Sequence, residues 1–245
     1  MRYTIALLRS ILFWLLFFLI SSFSSIGAVI SLPISHRATI WFVRVWAKGH
    51  RLFCRFVLGH RIVVDGEMPD IPVLYVFKHE GAFETIEQPG LFKHPAVFAK
   101  EELFSIPVWG KAAQFYGLIP VDRDGGGKAM RAMLGAAKAA LAAGRPLVLF
   151  AEGTRVPHGS APPLRPGFAG MYRLLGIDVI PVAVNSGHAY PPRRWVKWPG
   201  TITYKIGETI PAGLPREEAE ERVWRAINAL NPPEALLEGY KAAQK

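Results

Sequence analysis

Tyr75-Val76-Phe77-Lys78-His79-Glu80-Gly81-Ala82-Phe83-Glu84 is an apolar run that stops at a histidine and meets a carboxylate five positions later. Far downstream, Pro146-Leu147-Val148-Leu149-Phe150 runs into Ala151-Glu152-Gly153-Thr154-Arg155. Short apolar runs rich in Val and aromatic residues read as buried strands. Each delivers polar groups from its carboxyl end, and in an open α/β sheet the crevice outside those ends is where ligands bind.

Working outward, the pattern predicts further strands at residues 61–64, 96–99 (ending in Lys100), 117–121, 179–184 and 201–206. Helices are expected at 103–116, at 128–143 before Gly144, and at 217–230, the last facing solvent. Strands alternating with helices imply an α/β fold, a mixed, largely parallel sheet flanked by helices. No internal repeat is visible, and no linker divides the chain after residue 59. The expected organisation is an N-terminal membrane-anchoring helical segment with a basic amphipathic helix (1–58), followed by one α/β domain (59–245).

The chemistry of the first stretch follows from its residue types. Imidazole accepts a proton near neutral pH when an acceptor holds its other ring nitrogen and stabilises the imidazolium. Glu84 is placed for that role, in the first turn of a helix opening after Gly81, where the helix dipole favours a carboxylate. Glu80 and Glu87 are the alternatives. No G-x-S-x-G elbow is present and Cys54 is the single cysteine, so the nucleophile is expected to be a substrate hydroxyl, with His79 as general base. His79-Glu80 begins like the zinc motif H-E-x-x-H, but Phe83 stands at the second ligand position. Gly125-Gly126-Gly127-Lys128 imitates a phosphate loop, but Ala129 replaces the hydroxyl residue and Asp122 the leading glycine.

Lys100, Arg123 and Arg155 all follow predicted strands, and Arg and Lys at strand ends suit a phosphate. Gly153 allows close backbone approach.

Residues 10–35 contain no charge and are long enough to cross a bilayer. A signal peptide is the competing reading, but the apolar character runs on to Ile34 and no clean cleavage site appears. The serines at 21, 22, 24 and 25 leave open whether the anchor crosses the bilayer or forms two short helices in one leaflet. Residues 39–58 mix Trp41, Phe42, Trp46, Phe53 and Phe56 with Arg44, Lys48, Arg51 and Arg55, a basic amphipathic helix suited to an anionic membrane surface or to packing on a core. Basic residues are denser after the anchor, which puts the rest of the chain on the cytoplasmic face. A net charge of +10 without a zinc-finger, RRM or helix-turn-helix signature favours anionic lipid over nucleic acid. With one cysteine no internal disulfide forms.

From the anchor to about Ser186 the chain resembles the 1-acylglycerol-3-phosphate O-acyltransferase family, the lysophosphatidic acid acyltransferases of phospholipid synthesis. His79 with Glu84 is similar to its H-x-x-x-x-D block, with Glu for Asp. Gly117, Pro120, Val121 and Arg123 resemble G-x-x-[FP]-[IV]-x-R. Phe150, Glu152, Gly153, Thr154 and Arg155 match F-P-E-G-T-R apart from Ala151, and Val179-Ile180-Pro181-Val182 resembles the fourth block, an apolar run around a proline. The resemblance implies a glycerolipid acyltransferase-like fold and transfer of a fatty acyl group from acyl-CoA or acyl carrier protein to the sn-2 hydroxyl of 1-acylglycerol-3-phosphate, giving phosphatidic acid. It implies His79 and Glu84 as the catalytic pair, Lys100, Arg123 and Arg155 on the phosphate, Glu152, Gly153 and Thr154 at the substrate pocket, and neither metal nor cofactor beyond the thioester co-substrate. Another lyso-lipid acceptor, such as lyso-ornithine lipid, and a non-catalytic anionic-lipid-binding protein are the alternatives.

Overall fold

A computed structural model describes residues 1–122 and 125–236. Among these residues, seven strands form one sheet in the order β1-β7-β6-β2-β5-β3-β4. They are β1 (His60–Asp65), β2 (Leu74–Phe77), β3 (Ala96–Lys100), β4 (Ile119–Val121), β5 (Leu147–Leu149), β6 (Val179–Val184) and β7 (Gly200–Ile206). All neighbours pair parallel except β6 with β7. The sheet is therefore mixed and largely parallel, as the alternation of elements predicts.

The central strands are apolar because helices cover both of their faces. Along β2 the side chains divide by parity. Tyr75 and Phe77 join Phe83, Phe92, Tyr204 and Phe13 on one face, while Leu74 and Val76 join Phe98, Leu147, Phe168 and Val223 on the other. Helices α1 (Arg2–Ser31), α2 (His36–Phe53) and α3 (Phe83–Leu91) pack on the first side. Helices α5 (Gly126–Ala142), α6 (Gly167–Leu175) and α7 (Arg216–Ile227) pack on the second, and α4 (Trp109–Tyr116) contacts the α1–α2 hairpin.

Three elements differ from expectation. The helix expected over 103–116 is α-helical only from Trp109, preceded by a 3-10 turn over Glu101–Ser105. Pro107 lacks the N–H that a continuous helix needs and disfavours helical backbone at Ile106. Helix α6 was not anticipated; it is a short segment bounded by Pro166 and by Gly176 in the left-handed region. Helix α7 is not simply solvent-facing. Ala219, Val223, Trp224 and Ile227 bury one stripe, while Arg216–Glu220, Glu218–Arg222 and Glu221–Arg225 pair on its outer side.

Helix α1 is a single 30-residue helix that turns back at residues 32–35 into α2. Antiparallel pairing is fixed by Ser31 Oγ to Thr39 Oγ1 (3.0 Å) near the turn and Trp46 Nε1 to Ser21 Oγ (2.9 Å) further along. Its buried positions are Ala6, Ser10, Phe13, Ser24, Ala28 and Ser31. Leu8, Leu12, Leu15, Leu19, Phe23, Ile26 and Ile30 form the outward stripe, and all are exposed. Apart from Phe13, small and polar residues thus face the protein while bulky apolar ones face out, the reverse of a water-soluble helix.

Helix α2 has both a core-packed side and an outward side that carries apolar residues. Thr39, Ala47 and His50 are buried against the protein, and Trp41 and Leu52 face outward, as does Phe56 in the π-helical turn that follows.

Candidate active site

The functional groups gather at one edge because of strand direction. β2, β3, β4, β5 and β6 run parallel, so their carboxyl ends lie together. β7 runs against β6 and starts at that edge, and β1, parallel to β7, starts there too. The hairpin that precedes β1 and the 185–199 connection therefore also border the crevice.

Val76 pairs with Leu149 in the β2–β5 register, and His79 and Glu152 each lie three residues beyond. The His79 N–H donates to Glu152 Oε2 (2.8 Å), and the His79 carbonyl accepts the Val156 N–H (2.8 Å). These bonds hold the two decisive stretches together across 73 residues of sequence.

The His79 ring packs against Phe150 at a tilt of 35°, with centroids 4.4 Å apart. Its Nδ1 lies 2.9 Å from Glu84 Oε1. That oxygen also accepts the Gly81 N–H (2.7 Å), and Oε2 accepts the Ser186 hydroxyl (2.7 Å). A Cβ on Gly81 would stand 3.1 Å from the Tyr190 carbonyl, which is why glycine fits this turn. Burial would raise the Glu84 carboxyl, but the His79 ring, the Gly81 N–H and the Ser186 hydroxyl outweigh it and hold the group below its ordinary range. With an ionised carboxylate opposite, Nδ1 is the donor and Nε2 is left for the substrate.

The other two candidate carboxylates are engaged elsewhere. Glu80 accepts from the Gly187 N–H (2.7 Å) and from His158 Nδ1 (3.1 Å), which raises the His158 pKa. Glu87 meets Arg51 Nε (2.5 Å) and His50 Nδ1 (3.1 Å), tying α2 to α3. The longer side chain of Glu84, relative to Asp, reaches His79 with two further donors around it.

Glu152 does not line the crevice. It is buried, with Oε1 2.6 Å from Lys78 Nζ and Oε2 on the His79 backbone. Its role moves from substrate pocket to support, because the buried lysine one residue before His79 needs a counter-charge. Lys78 also donates to the Ser160 carbonyl and to Asn228 Oδ1. Its signal in the sequence was a lysine between an otherwise apolar strand and the histidine. Ser186 had no such signal.

A cavity of about 1470 Å³ opens at this edge. His79, Lys100, Gly153, Thr154 and Arg155 line it, Gly153 with a φ of 67° that favours glycine. Lys100, Thr154 and Arg155 are exposed. Arg123 lies outside the described residues; Val121 and Asp122 before it line the same cavity. The walls are mainly apolar, with Ile86, Val97, Leu118, Met130, Phe168 and Met171 among them, and Ala28 and Trp46 bring in the hairpin. Such a space suits a hydrocarbon chain with a polar end at His79. Among the described residues, no group of three or more His, Cys, Asp or Glu side chains is placed to hold a metal ion.

Ser186→Ala tests the third donor on Glu84. A carboxylate depressed on folding contributes stability above its unfolded pKa, about 4.3 for Glu, and loses it as pH falls through the folded value. Removing the hydroxyl lessens the depression. The expected result is a lower Tm near neutral pH and a smaller further drop on acidification to about pH 3 than in the unaltered chain, read by thermal unfolding in detergent. Parallel curves for the two proteins would mean that Ser186 does not stabilise the charge.

A family model described as Acyltransferase matches residues 60–185. The chain is 30% identical to a 1-acyl-sn-glycerol-3-phosphate acyltransferase of Pseudomonas aeruginosa over 235 residues, covering 93% of this chain and 88% of the relative. It is 24% identical over 178 residues to a protein of the same name from Cocos nucifera, covering 71% of this chain and 58% of the relative. The crystal structure of the 1-acyl-sn-glycerophosphate (LPA) acyltransferase PlsC from Thermotoga maritima matches with a TM-score of 0.71 at 24% identity, over 91% of this chain and 96% of that one, which shows a shared fold.

Proposed function

Because this chain belongs to the acyltransferase family, we propose that it moves a fatty acyl group from a thioester donor to the sn-2 hydroxyl of 1-acylglycerol-3-phosphate, forming phosphatidic acid at a membrane surface. The observation that carries this reading is the His79–Glu84 pair at the rim of a large apolar cavity. The acceptor class is the one in the names of its relatives, and the donor class is the one that the resemblance of its motifs implies.

In this mechanism His79 Nε2 takes the proton of the acceptor hydroxyl while Glu84 stabilises the imidazolium. The hydroxyl oxygen attacks the thioester carbonyl, the carbon–sulfur bond breaks, and the departing thiolate takes the proton from His79. No acyl-enzyme is required, and holding two substrates in register is the main catalytic device. Lys100, Arg123 and Arg155 hold the phosphate, Gly153 and Thr154 shape the rim, and Glu152 fixes the His79 backbone. Acyl-CoA and acyl carrier protein are both suitable donors.

The outward apolar stripe of α1 lies in the lipid of one leaflet. Both ends of the hairpin are tied to the α/β domain, through Ser10 to Lys197 (2.8 Å) and through the His36 and His94 rings (5.4 Å), so the hairpin lies along the domain. The α/β domain sits on the cytoplasmic face, where the exposed Lys48 and Arg55 meet anionic headgroups.

The deciding assay is thiol release from acyl-CoA by the purified, detergent-solubilised chain, with and without 1-acylglycerol-3-phosphate. Release that requires the acceptor and yields phosphatidic acid is expected. Release without acceptor would make the protein a hydrolase. Transfer only to lyso-ornithine lipid, or only from acyl carrier protein, would change the acceptor or the donor.

A further inference from the structure

The connection between β6 and β7 contains Pro191-Pro192-Arg193-Arg194-Trp195-Val196-Lys197-Trp198-Pro199. Trp195 is 70% exposed and Trp198 38%, beside two exposed arginines. An indole facing water is unfavourable, and two on one short connection call for a partner.

We propose that this loop is a second membrane-contact element, which docks on an anionic leaflet beside α1 and seats the rim of the cavity at the lipid headgroups. The inference rests on the reading of α1 as lipid-facing and adds a separate element to it. Four observations carry it.

The loop is pinned to α1. Trp14 Nε1 donates to the Trp195 carbonyl (2.8 Å), and the Lys197 N–H donates to Ser10 Oγ (2.8 Å). Beneath it, Lys197 is buried, with Nζ 4.0 Å from the Tyr190 ring centroid and donating to the Pro191 carbonyl (2.8 Å). The exposed rings are thus presented by a braced backbone.

The aromatic surface is continuous with the lipid-facing stripe. Trp195 packs edge-on to Trp14 (5.5 Å), Trp14 stacks on exposed Phe18 (5.8 Å), and Trp198 meets exposed Tyr3 (6.2 Å). A membrane that receives Phe18 therefore lies next to Trp195.

The composition suits the interface between hydrocarbon and water. Tryptophan concentrates at headgroup level, and arginine there pairs with lipid phosphates. A helical protein partner would instead need a groove, and these rings flank a convex helix surface.

The loop also belongs to the cavity rim, since Pro192 and Arg193 line it. Arg193 holds a φ of 56°, a backbone conformation that non-glycine residues rarely adopt. With the loop at the headgroups, a lipid acceptor passes from the leaflet to His79 without crossing water.

The test uses the full chain with single cysteines introduced by Trp195→Cys or, as a reference on α1, Leu19→Cys. Cys54 is buried and does not compete for labelling. Each is coupled to a polarity-sensitive fluorophore and mixed with phosphatidylcholine vesicles with or without phosphatidylglycerol, a portion carrying brominated acyl chains. Both labels are expected to shift to the blue and be quenched by brominated lipid. Arg194→Gln is expected to weaken partitioning into phosphatidylglycerol vesicles severalfold more than into neutral ones. A quenched label at 19 with an unquenched, water-like label at 195 would overturn the loop proposal and leave the α1 reading standing. Two unquenched labels would overturn both.

Discussion

His79→Ala is expected to lower acyl transfer by about 10²–10⁴-fold or more, the range that a positioned general base contributes, with lyso-lipid affinity little changed. The imidazole is the only proton acceptor that the described part of the site holds between a buried carboxylate and the cavity. Without it the acceptor hydroxyl must lose its proton to water. Glu84 keeps the Gly81 N–H and the Ser186 hydroxyl in this variant, so the chain should still fold, and a thermal scan in the same detergent checks that. Glu84→Gln belongs to the same series. An amide oxygen can still accept from Nδ1, but it carries no charge to stabilise the imidazolium, so turnover falls while binding persists. Near-normal turnover in His79→Ala would remove the histidine from the mechanism, and the same result in Glu84→Gln would remove the carboxylate.

Lys78→Met is expected to be the most destabilising single change near the site. The lysine is fully buried, and its three donors reach Glu152 (2.6 Å), the Ser160 carbonyl (2.6 Å) and Asn228 (2.7 Å). Burial pushes the Glu152 carboxyl up, against the pull of the Lys78 ammonium and the His79 N–H. Methionine fills much of the space but leaves three acceptors without their donor. Breaking a buried pair from one side costs roughly 3–5 kcal/mol, which for a chain of this length lowers Tm by about 10 °C or more. Activity should fall as well, because Glu152 fixes the His79 backbone. The solvent-exposed Lys138 on α5 supplies the contrast, and Lys138→Met should leave Tm nearly unchanged. Equal thermal curves for Lys78→Met and the unaltered chain would show that the network does not hold the site.

These two residues also separate what was legible in the sequence from what was not. His79 and Glu84 lie within one strand-to-helix turn, so spacing alone brings them close, and an apolar run ending in a histidine is visible without any neighbour. Lys78 stands in the sequence only as a lysine between an apolar strand and the histidine, and its partners lie 74, 82 and 150 residues away. Glu152 was misread for the same reason. A carboxylate after a strand looks ligand-facing until the buried ammonium that it must neutralise is known. The sequence marked Trp46, Arg51 and Arg55 as basic and amphipathic, yet it did not say that Arg51 would turn inward to Glu87. Trp195 and Trp198 carry no local signal, because their meaning depends on lying against α1.

Period and local order determined the α/β alternation, the long apolar N-terminal helix, the strands that run on into His79 and Glu152, and the proximity of His79 to Glu84. These are short-range properties, set by which faces of each segment must leave water and by how far a side chain reaches along one turn. Tertiary structure alone decided that Glu80 meets His158 and Glu87 meets His50, the service of Ser186 and Lys78, the buried stripe of α7, and the placing of the β6–β7 loop on α1. Those depend on strand order and direction. Reversing β7 against β6 returns a distant loop to the carboxyl edge, and no local pattern encodes that return.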